Sequence, residues 1–159
     1  MIRNTTSQDF DFIYDLYMHP QANPYLLYEV MDVVAFQPIF DDLLKQKVKY
    51  VYGNGEENIG MFKFIPLQYR TDHIAYLGGL AINPRFTGKG EGKKMMTEII
   101  GLAVSQGMLR VELSVSVTNT RAIHLYEKVG FQKEGILRKY THLKSEGRFV
   151  DEVLMSFIA

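Results

Sequence analysis

Arg85-Phe86-Thr87-Gly88-Lys89-Gly90-Glu91-Gly92-Lys93-Lys94 sets three glycines at alternate positions, directly ahead of Met96, Ile99, Ile100, Ala103 and Val104, which recur with helical spacing. Upstream, Ile74 to Ile82 reads as an apolar strand that turns at Asn83-Pro84. The segment therefore joins a strand to a helix. The free N–H groups of a helix's first turn and the positive end of its dipole converge there on an anion. Glycine tolerates positive φ and has no Cβ, so several amides can line one concavity, and phosphate is the natural guest. A mononucleotide P-loop needs four residues between its first glycine and Gly-Lys, then Ser or Thr; Gly88 to Gly92-Lys93 is one short, and Lys94 follows. A dinucleotide fingerprint needs a third glycine farther on than Gly92 lies, so neither pattern applies.

Outward from this loop the period alternates between helix and strand. Thr6-Ser7-Gln8-Asp9 has capping spacing ahead of Phe10, Ile13, Tyr14 and Tyr17, and a second helix carries Phe36, Phe40, Leu43 and Leu44. Lys49 to Tyr52 and Asn58 to Ile65 form a hairpin around Gly53-Asn54-Gly55. Within the strand from Ile74, Gly78-Gly79 predicts a bulge or a close backbone approach. The helix after the loop stops near Gly107, and Val111, Leu113, Val115 and Val117 then alternate with polar residues as a strand. A short helix presents Ala122, Ile123 and Tyr126 and ends at Gly130, and two strands, about 136–143 and 149–158, close the chain.

The 159 residues are 47% hydrophobic and 23% charged, a balance that excludes a disordered or low-complexity chain and predicts one domain over 1–159. Eighteen basic residues offset eighteen acidic ones, so no global field attracts nucleic acid or an anionic membrane. Without cysteine there is no disulfide, thiolate nucleophile or sulfur-ligated metal, and the four histidines show no ligand pairing, so no metal is expected. No apolar run reaches the ~20 residues of a membrane span and the N-terminus has no export signal, which together read as cytoplasmic.

Two motifs then converge on one family. Arg85, Gly88 and Gly90 meet the pattern Arg/Gln-x-x-Gly-x-Gly/Ala. Farther on, Asn119 follows a strand and leads into Ala122-Ile123-His124-Leu125-Tyr126-Glu127-Lys128-Val129-Gly130-Phe131. Both resemble signatures of the GNAT N-acetyltransferase superfamily, in the family's order and with a helix and a strand between them. The resemblance covers residues 2 to 158. It implies a mixed α/β fold, a single domain with a central, mostly antiparallel twisted sheet and helices on both faces. It also implies transfer of acetyl from acetyl-CoA, the acyl donor, to a primary amine by direct attack. The branch it resembles acts on amino acids, polyamines and ribosomal-protein N-termini. Dimers are common among such proteins, which leaves a homodimer open.

By that resemblance, Arg85, Phe86, Thr87, Gly88, Lys89, Gly90, Gly92 and Lys93 hold the donor's pyrophosphate. The backbone of Leu80, Ala81 and Ile82 pairs with its pantetheine arm, with Asn119 and Ala122 beside it. Asn119 suits this place because a carboxamide both donates and accepts, and it equally suits a helix N-cap. Tyr126 is the expected general acid: a phenol of pKa ~10 can protonate or hydrogen-bond a departing thiolate whose acid has a pKa near ~8.5.

The base is open. An alkyl amine of pKa ~10 is about 99.9% protonated at pH 7 and must lose a proton before attack. Many relatives place a glutamate on the strand before the glycine loop, where this sequence reads His73-Ile74-Ala75-Tyr76-Leu77-Gly78-Gly79. Glu112 on the next strand, His73, or water held by Tyr76 are the candidates. Tyr25-Leu26-Leu27-Tyr28-Glu29 falls where the family's acceptor-side loop lies, or packs as core, and 135–151 would border the acceptor pocket. The competing reading is an acyl-CoA-binding sensor; a ligand-free structural dimer is a third.

Overall fold

A computed structural model describes residues 1–159. One seven-stranded sheet, in the order β1-β2-β3-β4-β5-β7-β6, runs through the molecule. Its strands are β1 (Ile2–Asn4), β2 (Lys49–Gly53), β3 (Asn58–Pro66), β4 (Ile74–Ile82), β5 (Arg110–Ser116), β6 (Gln132–Leu143) and β7 (Arg148–Ile158). All neighbours are antiparallel except β4 and β5. Helices α1 (Phe10–Met18) and α2 (Val33–Gln46) cover one face, and α3 (Glu91–Ser105) and α4 (Thr120–Lys128) the other. No helix is long and apolar enough to cross a membrane.

The expected mixed α/β fold stands, with three adjustments. β1 is an added strand: three residues are too few to show a period, and its pairing with Tyr50–Tyr52 exists only once β2 is in place. β5 ends at Ser116 instead of near residue 118, because Val117 and Thr118 turn toward the Asn119 cap. β6 begins at Gln132, where Ser156 of β7 extends the ladder beyond what its own mixed composition indicates.

The larger core packs Met95, Met96 and Ile99 of α3 and Ile123 and Tyr126 of α4 on Phe62, Phe64, Ala75, Leu77 and Leu113. The smaller packs Ile13, Tyr17, Phe36 and Phe40 on Val51, Met61 and Ala81. Ala75 and Leu77 thus face one core while Ala81 faces the other, although even spacing on a strand keeps side chains on one face. The extra residue lies at Gly79. Lys63 pairs with Gly78 but Met61 with Ala81, so β4 carries one residue more than β3 across this interval. Gly79 has φ +53°, and a Cβ there would stand 2.9 Å from Tyr17 Oη and 3.1 Å from Lys49 Nζ. Both the angle and the space require glycine.

Beneath the bulge, Lys49 is 1% exposed. It donates to Tyr17 Oη at 2.8 Å and to the Gly79 carbonyl at 3.2 Å, with no carboxylate partner. Burial, reinforced by the charge of Lys63, lowers its pKa well below the usual lysine value. The unfolded chain therefore binds a proton here that the folded chain gives up, from the lowered value up to the ordinary ~10.4. Stability from this group is complete above that range and is lost as pH falls through the folded value. Removing donor and acceptor together, as Lys49→Met with Tyr17→Phe, is expected to flatten the dependence. Urea midpoints at pH 7 and 9 should rise more for the parent than for the double variant; parallel curves would mean that Lys49 stays charged in the fold.

Candidate active site

β4 and β5 pair only at Ile74–Tyr76 against Arg110–Glu112, yet both strands continue, to Ile82 and Ser116. Beyond Tyr76 their facing edges part. Backbone N–H and C=O groups along 77–82 and 113–116 are left without a ladder between them, and such groups favour an extended guest carrying amides of its own.

Two cavities open on either side of this gap. The larger, about 1090 Å³, runs from Leu80–Ile82 past the 86–93 loop to α4. The smaller, about 190 Å³, lies among Lys63, Tyr76, Gly78, Ser114, Tyr140 and Glu152. Six residues line both: Pro24, Tyr25, Leu26, Leu80, Asn119 and Tyr126. A group passing from one cavity to the other must pass these side chains.

The glycine loop forms one end of the larger cavity. Gly90, φ +80°, is the N-cap of α3, no side chain caps the helix, and Gly90 to Lys93 line the cavity. A Cβ at Gly90 would meet nothing within 4 Å, so glycine serves there for its backbone angle. Gly92 differs. Its Cβ would come within 3.0 Å of Leu125 Cδ2, so it lets α3 and α4 close on one another.

Of the residues nominated for the donor, Leu80, Ala81, Ile82, Phe86, Thr87, Gly88, Gly90, Gly92, Lys93, Asn119 and Ala122 line this cavity. Arg85 and Lys89 do not. Arg85 is 71% exposed and ion-pairs with Glu57 at 3.2 Å, and both cations flank the Phe86 ring. Thr118, Thr120, Arg121 and Lys128 also line it. They belong to the second motif or its flank, where reading only its named positions passes over the cation at 121.

Asn119 Oδ1 accepts from the Ala122 amide at 3.3 Å, capping α4, while the residue borders both cavities. Tyr126 is 6% exposed and packs against Phe131, ring centroids 5.9 Å apart. Burial raises its pKa above the ordinary phenol value, so it stays protonated through neutral pH. Thr5 Oγ1 is the one buried side-chain polar atom both sealed from solvent and unpartnered, so the Tyr126 hydroxyl opens to the cavity space.

The three candidate bases fall in different places. Glu112 borders neither cavity; Arg110 holds its carboxylate at 3.0 Å and also binds Glu134. His73 precedes β4 at the end remote from the gap, with its carbonyl accepting from Leu109 and Arg110. Tyr76 lines the smaller cavity. Glu152 also lines it, beside Thr141, whose hydroxyl donates to its carboxylate. Glu152 lies one residue past the 135–151 segment and alternates like an ordinary strand residue, so only the folded sheet reveals its place. The aromatic loop divides by residue: Tyr25 and Leu27 are exposed along the cavities, Tyr28 packs on Tyr17 and Phe36, and Glu29 accepts from the Lys144 amide at 2.7 Å.

Residues 10–131 match the profile described as the acetyltransferase (GNAT) family. The chain belongs to that family. It is similar to the ribosomal-protein alanine N-acetyltransferase of Haemophilus ducreyi, 26% identical over 140 residues and 88% of each chain. The spermidine N(1)-acetyltransferase of Vibrio cholerae is 28% identical over 109 residues, 62% of either chain. In structure, the GNAT chain superposes on the V. cholerae spermidine N-acetyltransferase, solved in complex with CoA and spermine. That match has TM-score 0.85 and 22% identity and covers 99% of this chain and 94% of the other. The Brucella melitensis ribosomal-protein-alanine N-acetyltransferase gives TM-score 0.80 at 18% identity, over 100% and 99%. The mixed α/β fold with a mostly antiparallel sheet expected from the two motifs is therefore the fold observed.

Proposed function

We propose that the protein transfers acetyl from acetyl-CoA to a primary amine by direct attack, and that it does so in the cytoplasm. The observation that carries this reading is the pair of cavities meeting at Leu80, Asn119 and Tyr126, the larger ending in an uncapped helix N-terminus. The solved neighbour with CoA and spermine supports it.

On this reading the amides of 88–93 hold the diphosphate, with Lys93 and Arg121 adding charge. The edge of Leu80–Ile82 takes the pantetheine amides, and Asn119 anchors that arm while capping α4. The amine enters the smaller cavity. Its nitrogen bonds to the thioester carbonyl carbon, and backbone N–H groups freed at the bulge stabilise the charge that builds on oxygen. The carbon–sulfur bond then breaks, and the Tyr126 hydroxyl protonates or hydrogen-bonds the departing sulfur. Glu112 is tied to Arg110, so the amine's proton leaves toward Glu152 through water held by Tyr76.

Thiol release in mixtures of acetyl-CoA and amines tests the transferase reading. CoA binding without turnover across a broad amine panel would favour a sensor instead. Glu152→Gln is expected to lower kcat/KM about 10²-fold at pH 7. That deficit should shrink as pH rises into the amine's own range, where the neutral nucleophile needs no base; a constant deficit would assign Glu152 to packing.

A further inference from the structure

Lys63 and Lys49 stand directly opposite one another on the antiparallel strands β3 and β2. Like charges in that position repel, the more so when half or wholly buried. Lys49 has settled its side by donating to Tyr17 Oη and the Gly79 carbonyl. Lys63 has not. It makes no hydrogen bond or ion pair within the chain, its ammonium lies 5.7 Å from the centroid of the Tyr28 ring, and it lines the smaller cavity beside Gly78 and Gly79. A buried ammonium without an anion is costly and is normally paired. Burial accordingly lowers the pKa of Lys63.

The other ionised side chain lining that cavity is Glu152. Strand order puts β4 and β5 between Lys63 and Glu152, roughly 14 Å at the backbone from three strand spacings of ~4.8 Å. A cavity with a cation at one wall and a carboxylate at the other complements a zwitterion. A polycation would find a single acidic group here and an unpaired ammonium facing it.

Resting on the transferase reading, we infer that the acceptor is an amine that also carries a carboxylate, an amino-acid-like molecule whose anionic group pairs with Lys63 while its amine enters from the Glu152 side. The anion at Lys63 gives that ammonium the partner the chain itself does not supply, which an uncharged acceptor leaves missing. Specificity then comes from a group already desolvated and waiting for its partner.

The test compares kcat/KM for a panel of free α-amino acids, for the corresponding amino-acid amides and for spermidine, with acetyl-CoA saturating. The amide amine is the less basic, so ionisation alone would favour the amide. The expected result is at least a tenfold preference for the free acid. In Lys63→Met this ratio should fall to near one, and Lys63→Arg should restore it. CoA calorimetry on each variant reports that it is folded. A wild-type ratio near or below one, a preference for spermidine, or a ratio that survives in Lys63→Met would each overturn the inference while amine acetylation itself stands. A chain that neither binds CoA nor turns over any amine overturns the transferase reading, and this inference with it.

Discussion

Replacing Tyr126 by phenylalanine is expected to lower kcat about 10²-fold while leaving CoA affinity within about twofold. The ring supplies the packing, against Phe131 and within the larger core, and the substitution keeps it. The hydroxyl has no protein partner and opens to cavity space, so the fold loses no internal hydrogen bond. Thermal stability should be nearly unchanged, because no internal hydrogen bond is lost and the ring packing is kept. On the proposed mechanism the phenol meets the sulfur only as the carbon–sulfur bond breaks, so activity alone should suffer. Single-turnover thiol release with a saturating amine separates these effects. A rate equal to the parent's would remove Tyr126 from the acid's role, and a parallel loss of CoA affinity would make it a packing residue.

The second large effect concerns the glycine loop. Gly90→Val places a β-branched residue at φ +80°, where such side chains are strained, so the loop must reshape and withdraw its amides from the cavity. CoA binding is expected to weaken at least about 30-fold, roughly 2 kcal/mol. The loss should be confined to the diphosphate. Acetyl-pantetheine, which lacks that group, should serve parent and variant nearly equally, and the parent's preference for the full donor should collapse in Gly90→Val. No steric clash accounts for such a result, because a Cβ at Gly90 meets nothing within 4 Å. If both donors weaken equally, the loop acts by supporting α3 and not by holding phosphate.

Much of this was legible before folding because it is written in local terms. A positive-φ glycine ahead of a helix, an Asn capping the next helix and a glycine pair at a bulge are each set by a few adjacent residues. The residues proposed for the donor fall within two continuous motifs for the same reason. Arg85 and Lys89 show where local reading stops. Sequence puts them in the loop, but their direction depends on Glu57 and Phe86, the first of them contributed by the turn after β2.

By itself the sequence determined the alternation of strands and helices, the glycine loop between Ile82 and Glu91, and the Asn119-to-Phe131 motif, since each depends on side-chain periodicity or on φ demands within one stretch of chain. Only the tertiary structure decided what lies on the acceptor side. Lys63, Tyr76 and Glu152 sit on three strands and are unremarkable along the chain. They share a cavity because β4 and β5 separate beyond Tyr76, and that divergence is a property of strand pairing. The pairing of β2 with β3 likewise set Lys49 against Lys63, and the assembly of β5, β7 and β6 brought Glu134 to Arg110, which also holds Glu112 from two residues away on its own strand. Charges distant in sequence find or lose their partners by register, and register is settled only when the whole sheet is assembled.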